Sequence, residues 1–185
     1  MKKMSIARCI TICAMCIALC YVLPVFFHAI ALGSILSPMH IPVLLCGIVC
    51  GPVYGLVCGI VGPVLSSLLS GMPPATGLIS MVPELAVYGL VCGLLMKLIR
   101  SGNLFGDIYI ALIPAMLLGR IVGGVAKALF YLGSGQAYSI SAWATGYLVE
   151  SVPGIIAHLI LVPLLAFTLE KARLVSPRYV KQPQE

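Results

Sequence analysis

Apolar runs long enough to cross a lipid bilayer recur along almost the whole chain, and that repetition leaves few folds open. A hydrocarbon core of about 30 Å takes ~20 helical residues. With 61% hydrophobic and only 9% charged residues, and a mean hydropathy of +1.14, the chain has too little polar surface to cover a soluble globule of its length. The reading is an all-α integral membrane protein. Its formal charge of +6 does not point to nucleic acid, because the basic residues flank the apolar runs and form no surface stripe. They read as topology signals.

Punctuation predicts six helices, at about 6–27, 39–50, 53–69, 78–99, 105–132 and 141–171, in a single transmembrane domain over 1–174 followed by a tail, 175–185. The second helix is short, since ~12 residues rise only about 18 Å. Fusing it with the third would leave five spans. Charge parity favours six: with a cytoplasmic amino terminus, Lys2, Lys3, Arg8, Lys97, Arg100, Lys171, Arg173, Arg178 and Lys181 all lie on the cytoplasmic side, and the outer loops carry no charge. A re-entrant hairpin keeps the same parity, and either way both termini face the cytoplasm. Lys2-Lys3, the apolar run and Ala29-Ile-Ala31 have the layout of a signal peptide, but the run is long for one and more apolar segments follow. The first helix is expected to stay.

Eight cysteines invite a metal or disulfide reading. Cys9, Cys13, Cys16 and Cys20 form one stripe of the first helix, without a histidine, whereas tetrahedral zinc sites gather ligands from a tight turn or several elements. With Cys46, Cys50, Cys58 and Cys92 they read as small packing residues, and neither metal nor disulfide is expected. Gly51, Gly55 and Gly59, and again Gly119 and Gly123, recur every four residues, a ridge that lets helix backbones approach. Val53-Tyr-Gly-Leu-Val-Cys-Gly59 is repeated as Val87-Tyr-Gly-Leu-Val-Cys-Gly93. An inverted repeat would explain it, but the identity ends abruptly, which favours convergent packing. Thr11, Ala14 and Ala18 share a face of the first helix away from the cysteines. That face suits a neighbouring helix of the same chain or a helix of another protein.

Four ionisable residues lie inside apolar stretches: Glu84, Arg120, Lys127 and Glu150. Charge at such depth costs roughly 2.5–3.5 kcal/mol per residue on insertion scales. Glu84 is predicted roughly 9 Å below the outer end of the fourth helix, Glu150 roughly 13 Å below the start of the sixth, and Lys127 about 10 Å outward of Arg120. Arg120, Lys127 and Tyr131 share a face; Tyr88 is one turn from Glu84; Tyr147, Glu150, Ser151, Gly154 and His158 line one face of the sixth helix. Interhelical ion pairing alone would account for two acids and two bases. The alternative is a pocket open to the outside, with Arg120 or Lys127 holding an anionic group, Glu84 or Glu150 accepting protons, and Tyr88 and Tyr147 flanking it. His40 and Trp143 are candidates for its rim. The outer-loop residues Gly33, Ser34, Pro38, Gly71, Pro73, Pro74 and Gly77 have a composition suited to a gate.

Enzyme signatures are absent: the sequence has no glycine-rich phosphate loop, no His-Glu-x-x-His helix and no Gly-x-Ser-x-Gly elbow. An intramembrane hydrolase built on Glu84 with His40 or His158 is the remaining catalytic alternative. A self-sufficient carrier is the other.

Ser37-Pro-Met-His-Ile-Pro-Val-Leu-Leu-Cys-Gly47, Gly51-Pro, Tyr54-Gly, Leu65-Ser-Ser-Leu-Leu-Ser-Gly-Met-Pro-Pro74 and Glu84-Leu-Ala-Val-Tyr-Gly89 resemble the substrate-binding S components of energy-coupling-factor (ECF) vitamin transporters. Leu118-Gly-Arg-Ile-Val122, Pro153-Gly-Ile-Ile, Leu161-Val-Pro-Leu-Leu165 and Leu169-Glu-Lys171 extend the resemblance over nearly the full chain. It implies a six-helix subunit of the bacterial plasma membrane that captures a micronutrient from outside. Such a subunit docks with a membrane coupling protein and two cytoplasmic ATPases, needs no cofactor of its own, and leaves ATP to those partners. The family's small-xxx-small docking motif falls on Ala14 and Ala18. The sequence is most similar to the branch associated with pantothenate and related vitamins; the pantothenate carboxylate would suit Arg120 and its hydroxyls Glu84, as would those of other carboxylated vitamins.

Overall fold

Proline and glycine decide where the apolar runs stop. In the computed structural model, which describes residues 5–29, 37–133, 145, 152–172 and 174–175, helix α1 spans Ile6–Ala29, α2 His40–Cys50, α3 Pro52–Ser70, α4 Ala75–Leu98, α5 Leu104–Gly133 and α6 Val152–Lys171. Gly51 separates α2 from α3 with φ 94°, a conformation open to glycine at little cost. Pro52 then opens α3, where a missing N–H is tolerated. Gly71, at φ 70°, closes α3 in the left-handed conformation with its N–H on the Ser67 carbonyl. Five of the helices are long and apolar enough to cross a bilayer, and α2, at 11 residues, is not.

The short helix is the most enclosed. His40, Pro42, Val43, Leu44, Leu45, Cys46 and Gly47 are all buried, and α1, α3, α4 and α6 all pack on α2. Packed among four longer helices, a helix that rises about 16 Å does not itself cross a hydrocarbon core of about 30 Å. Its backbone bonds are satisfied within the helix, and its side chains fill the space between four longer neighbours.

Antiparallel packing of α3 on α4 depends on missing side chains. A Cβ at Gly55 would strike the Gly89 carbonyl and one at Gly89 the Gly55 carbonyl, while Gly59 lies on Leu85 and Gly93 on Gly51 and Pro52. The seven-residue identity is thus a surface packed on its own copy about a local two-fold. The pairs Gly55 with Gly89, Gly59 with Leu85, and Gly93 with Gly51 are related by one offset. Packing accounts for the repeated string, because one surface serves both sides of an antiparallel pair. Gly47 of α2 joins the same junction, 2.6 Å separating the Gly89 oxygen from where its Cβ would stand.

Cys9, Cys13, Cys16 and Cys20 turn inward and meet α2 and α3. Their polarity is absorbed by weak bonds to backbone oxygens: the Cys13 thiol to Tyr54 at 3.6 Å and the Cys20 thiol to Met39 at 3.7 Å, with Cys50 reaching back to Cys9 at 3.8 Å. All eight thiols are free, and among the described residues no group of His, Cys, Asp or Glu side chains is placed to hold a metal ion. The opposite face of α1, with Thr11, Ala14 and Ala18, is uncovered.

Arg8, Lys97, Arg100 and Lys171 mark one end of the bundle. There the α4–α5 turn is wound around the buried Asp107, which accepts bonds from the Ser101 amide and hydroxyl. Phe105 and Phe167 join α5 to α6, their ring centres 5.3 Å apart. At the other end, Ser66 and Ser67 donate to the Met72 and Pro73 carbonyls at 2.7 and 2.8 Å. The Gly71–Pro74 stretch, whose composition suits a gate, is therefore strapped to α3. Extended backbone at Pro74 caps α4, so Ala75, Thr76 and Gly77 form its first turn and the helix starts before the expected Leu78. Gly77, an outer-loop residue by sequence, lies instead in the first turn of α4, its N–H bonding the Pro74 carbonyl at 2.8 Å.

Candidate functional site

Because α4 starts at Ala75, Glu84 lies about 14 Å down the helix, deeper than the sequence predicted. Only 7% of it is exposed. Tyr88 follows one turn later and donates its hydroxyl to Glu84 Oε1 at 2.9 Å. Its ring is fully buried and lies on Gly119 of α5, where any Cβ would overlap it. One turn along, a Cβ at Gly123 would stand 2.9 Å from both Glu84 Cβ and Oε2. The Gly119/Gly123 ridge therefore does more than bring two backbones together. It seats Glu84 and Tyr88 of α4, a role the spacing did not reveal.

His40 corrects the sequence reading most. Expected at the rim, it is 5% exposed, with Nε2 3.6 Å from Glu84 Oε1 and its ring centre 5.3 Å from that of Tyr88. The cause is the length of α2: a helix this short, anchored at Gly51, begins inside the bundle. Ser37, the non-glycine residue with positive φ (42°) among those described, precedes it. Left-handed backbone costs an L-residue roughly 1–2 kcal/mol, and here it accompanies a carbonyl that accepts from His40 Nδ1 at 3.0 Å.

His158 of α6 completes the cluster. Fully buried, it stacks on His40 with ring centres 5.3 Å apart and planes 24° apart, and its Nε2 lies 3.3 Å from the Ser37 carbonyl. The sequence put His158 on a polar face and offered it only as a partner of Glu84 in the hydrolase alternative, not among the ligand-pocket residues; the enclosure of α2 brings it onto His40.

Arg120 is 6% exposed and directly follows Gly119, the residue on which the Tyr88 ring lies. Lys127, two turns away on the same helix, is half-buried, as is Tyr131. Trp143, Tyr147 and Glu150 lie outside the described residues. So α2, α4, α5 and α6 converge a carboxylate, a phenol, two imidazoles and a guanidinium in the interior, far from the basic end. In a low-dielectric setting such groups make strong, oriented bonds to a polar ligand.

These features define a multi-pass helical membrane protein with a buried polar site. A family model for the ECF transporter substrate-specific component matches residues 8–166, and the chain belongs to that family. The match runs from α1 into α6 and covers Ala14, Ala18, His40, Glu84, Tyr88, Arg120 and His158. No curated protein and no solved structure matches the chain. It is a substrate-binding component of a transporter, which is not an enzyme class.

Proposed function

We propose that the chain captures a carboxylated, vitamin-type micronutrient at the outer face of the bacterial plasma membrane, with pantothenate the first candidate. The observation that carries this reading is the buried contact of His40, Glu84 and Tyr88, with the buried Arg120 following Gly119 under the Tyr88 ring, so that three helices contribute. Arg120 holds the ligand carboxylate through its planar fork of donors. Glu84 accepts ligand hydroxyl or amide protons while Tyr88 holds one of its oxygens in place. Lys127, Glu150, Tyr147 and Trp143 add contacts nearer the outside. The basic end faces the cytoplasm, as do both termini.

Transport is driven by partners: a membrane coupling protein that docks on α1 at Ala14 and Ala18, and two cytoplasmic ATPases, which alone use ATP. The uncovered Ala14/Ala18 face supports that docking role. Native mass spectrometry of the protein as isolated should show one retained small molecule, and a radiolabelled pantothenate assay should identify it or exclude that ligand. Arg120→Ala should weaken binding at least about thirtyfold, since truncating one partner of a buried charge contact costs ~2 kcal/mol or more. In vesicles, uptake should require the coupling module and ATP. Uptake by the lone chain would instead make it a self-sufficient carrier, and turnover of the bound molecule would overturn the reading altogether.

A further inference from the structure

One backbone oxygen in this site is served by three donors from two helices. The Ser37 carbonyl accepts from the His40 amide at 3.1 Å, from His40 Nδ1 at 3.0 Å and from His158 Nε2 at 3.3 Å. A carbonyl oxygen only accepts, so both ring nitrogens carry hydrogen. With Nδ1 committed to Ser37 and the ring stacked on His158, His40 can turn only its Nε2 toward Glu84. The plane and the rotation of the imidazole are both fixed from outside the ligand space.

We propose that His158 is a positioning residue of the ligand site: it clasps the Ser37 carbonyl together with His40, orienting His40 against Glu84 and tying α6 to the start of α2. Its effect on ligand retention rests on the binding function proposed above; the clasp itself does not. A partner held in this way behaves like the outer groups that set the tautomer and orientation of a ligating histidine.

The chain has three histidines, His28, His40 and His158, so selective ¹⁵N-histidine labelling of the full protein in detergent gives a readable spectrum. His40 should carry hydrogen on Nδ1 and His158 on Nε2; a bare Nε2 on His158 overturns the proposal. In His158→Leu, hydrogen exchange of peptides containing His40 and Ile41 should speed up about tenfold, the worth of one hydrogen bond to a buried acceptor. His158→Gln, which restores an N–H donor, should return exchange most of the way. Unchanged exchange in His158→Leu, or a glutamine variant no better than leucine, would refute the clasp. Should His158→Leu fail to fold, the wild-type imidazole spectrum and the glutamine variant decide. Native mass spectrometry then reads the consequence: the small molecule kept by wild type should be lost from His158→Leu and kept by His158→Gln. A wild-type protein that retains nothing strikes the ligand reading and leaves the clasp to the spectrum.

Discussion

Small residues four apart mark α1, α3 and α5 alike, yet their surroundings differ. Gly55 and Gly59 are buried on α4, and Gly119 and Gly123 are buried beneath its Glu84 and Tyr88. Ala14 and Ala18 are exposed. Spacing tells that a backbone can be approached closely. Whether this chain or another makes the approach depends on which faces its own helices already cover. Glycine is also required in the first set, where a Cβ would overlap a backbone atom or a ring. At Ala14 and Ala18 a Cβ is already present and strikes nothing.

The largest effect should come where backbone meets backbone. Gly89→Val puts a branched side chain against the Gly55 backbone, which has no rotamer to yield. Overpacking of this kind costs ~3 kcal/mol, and unfolding titrations in mixed detergent should show the variant at or past the edge of stability. Gly119→Ala should be gentler. Its methyl overlaps the buried Tyr88 ring and stands 2.9 Å from the Glu84 carbonyl oxygen, so the ring is displaced within a packed interior and stability should fall by ~2 kcal/mol. Ligand affinity should drop more than stability, because the moved ring takes its bond to Glu84 with it. Equal losses would mean that Gly119 serves packing alone.

Tyr88→Phe isolates that bond. The phenol donates to a carboxylate at 2.9 Å in a fully buried position, and its removal leaves Glu84 Oε1 short of a donor at a cost of ~1–2 kcal/mol. Binding should weaken about tenfold with the fold intact. Unaltered affinity would take Glu84 out of ligand contact.

The sequence revealed that the buried charges mattered because the cost of burying them is a property of the residues themselves. Glu84, Arg120 and Tyr88 were accordingly placed in one interior. Helical spacing put the alanines and the cysteines on different sides of α1, but that the cysteines are the side turned inward is read only from their packing on α2 and α3. His40 was misplaced because its depth depends on where α2 starts, set by an 11-residue length and the Gly51 turn. The role of Gly119 was hidden for a related reason: which side chain lies on a glycine depends on the register of α4 against α5, and periodicity within one helix says nothing about register. His158 needed both, since it reaches the site only through His40 and Ser37. Trp143, Tyr147 and Glu150 stand where they were, as expectations about residues outside those described.

The smallest effect on the isolated protein should come from Ala14→Leu combined with Ala18→Leu. Both positions are uncovered and already carry a Cβ, so stability should stay within ~0.5 kcal/mol of wild type. Neither residue touches the Glu84 cluster, so ligand binding in detergent should be unchanged. The proposed docking role predicts a large effect elsewhere: with the coupling module and ATP supplied, vesicle uptake should fall to background, because a leucine ridge keeps a partner helix from the close approach that dispersion needs. Loss of binding or stability would mean that these alanines are covered by their own chain, as the glycines are. Full uptake would mean that the coupling protein docks elsewhere. Only a protein that binds normally and transports nothing separates capture from delivery, with the first assigned to the buried ridge and the second to the exposed one.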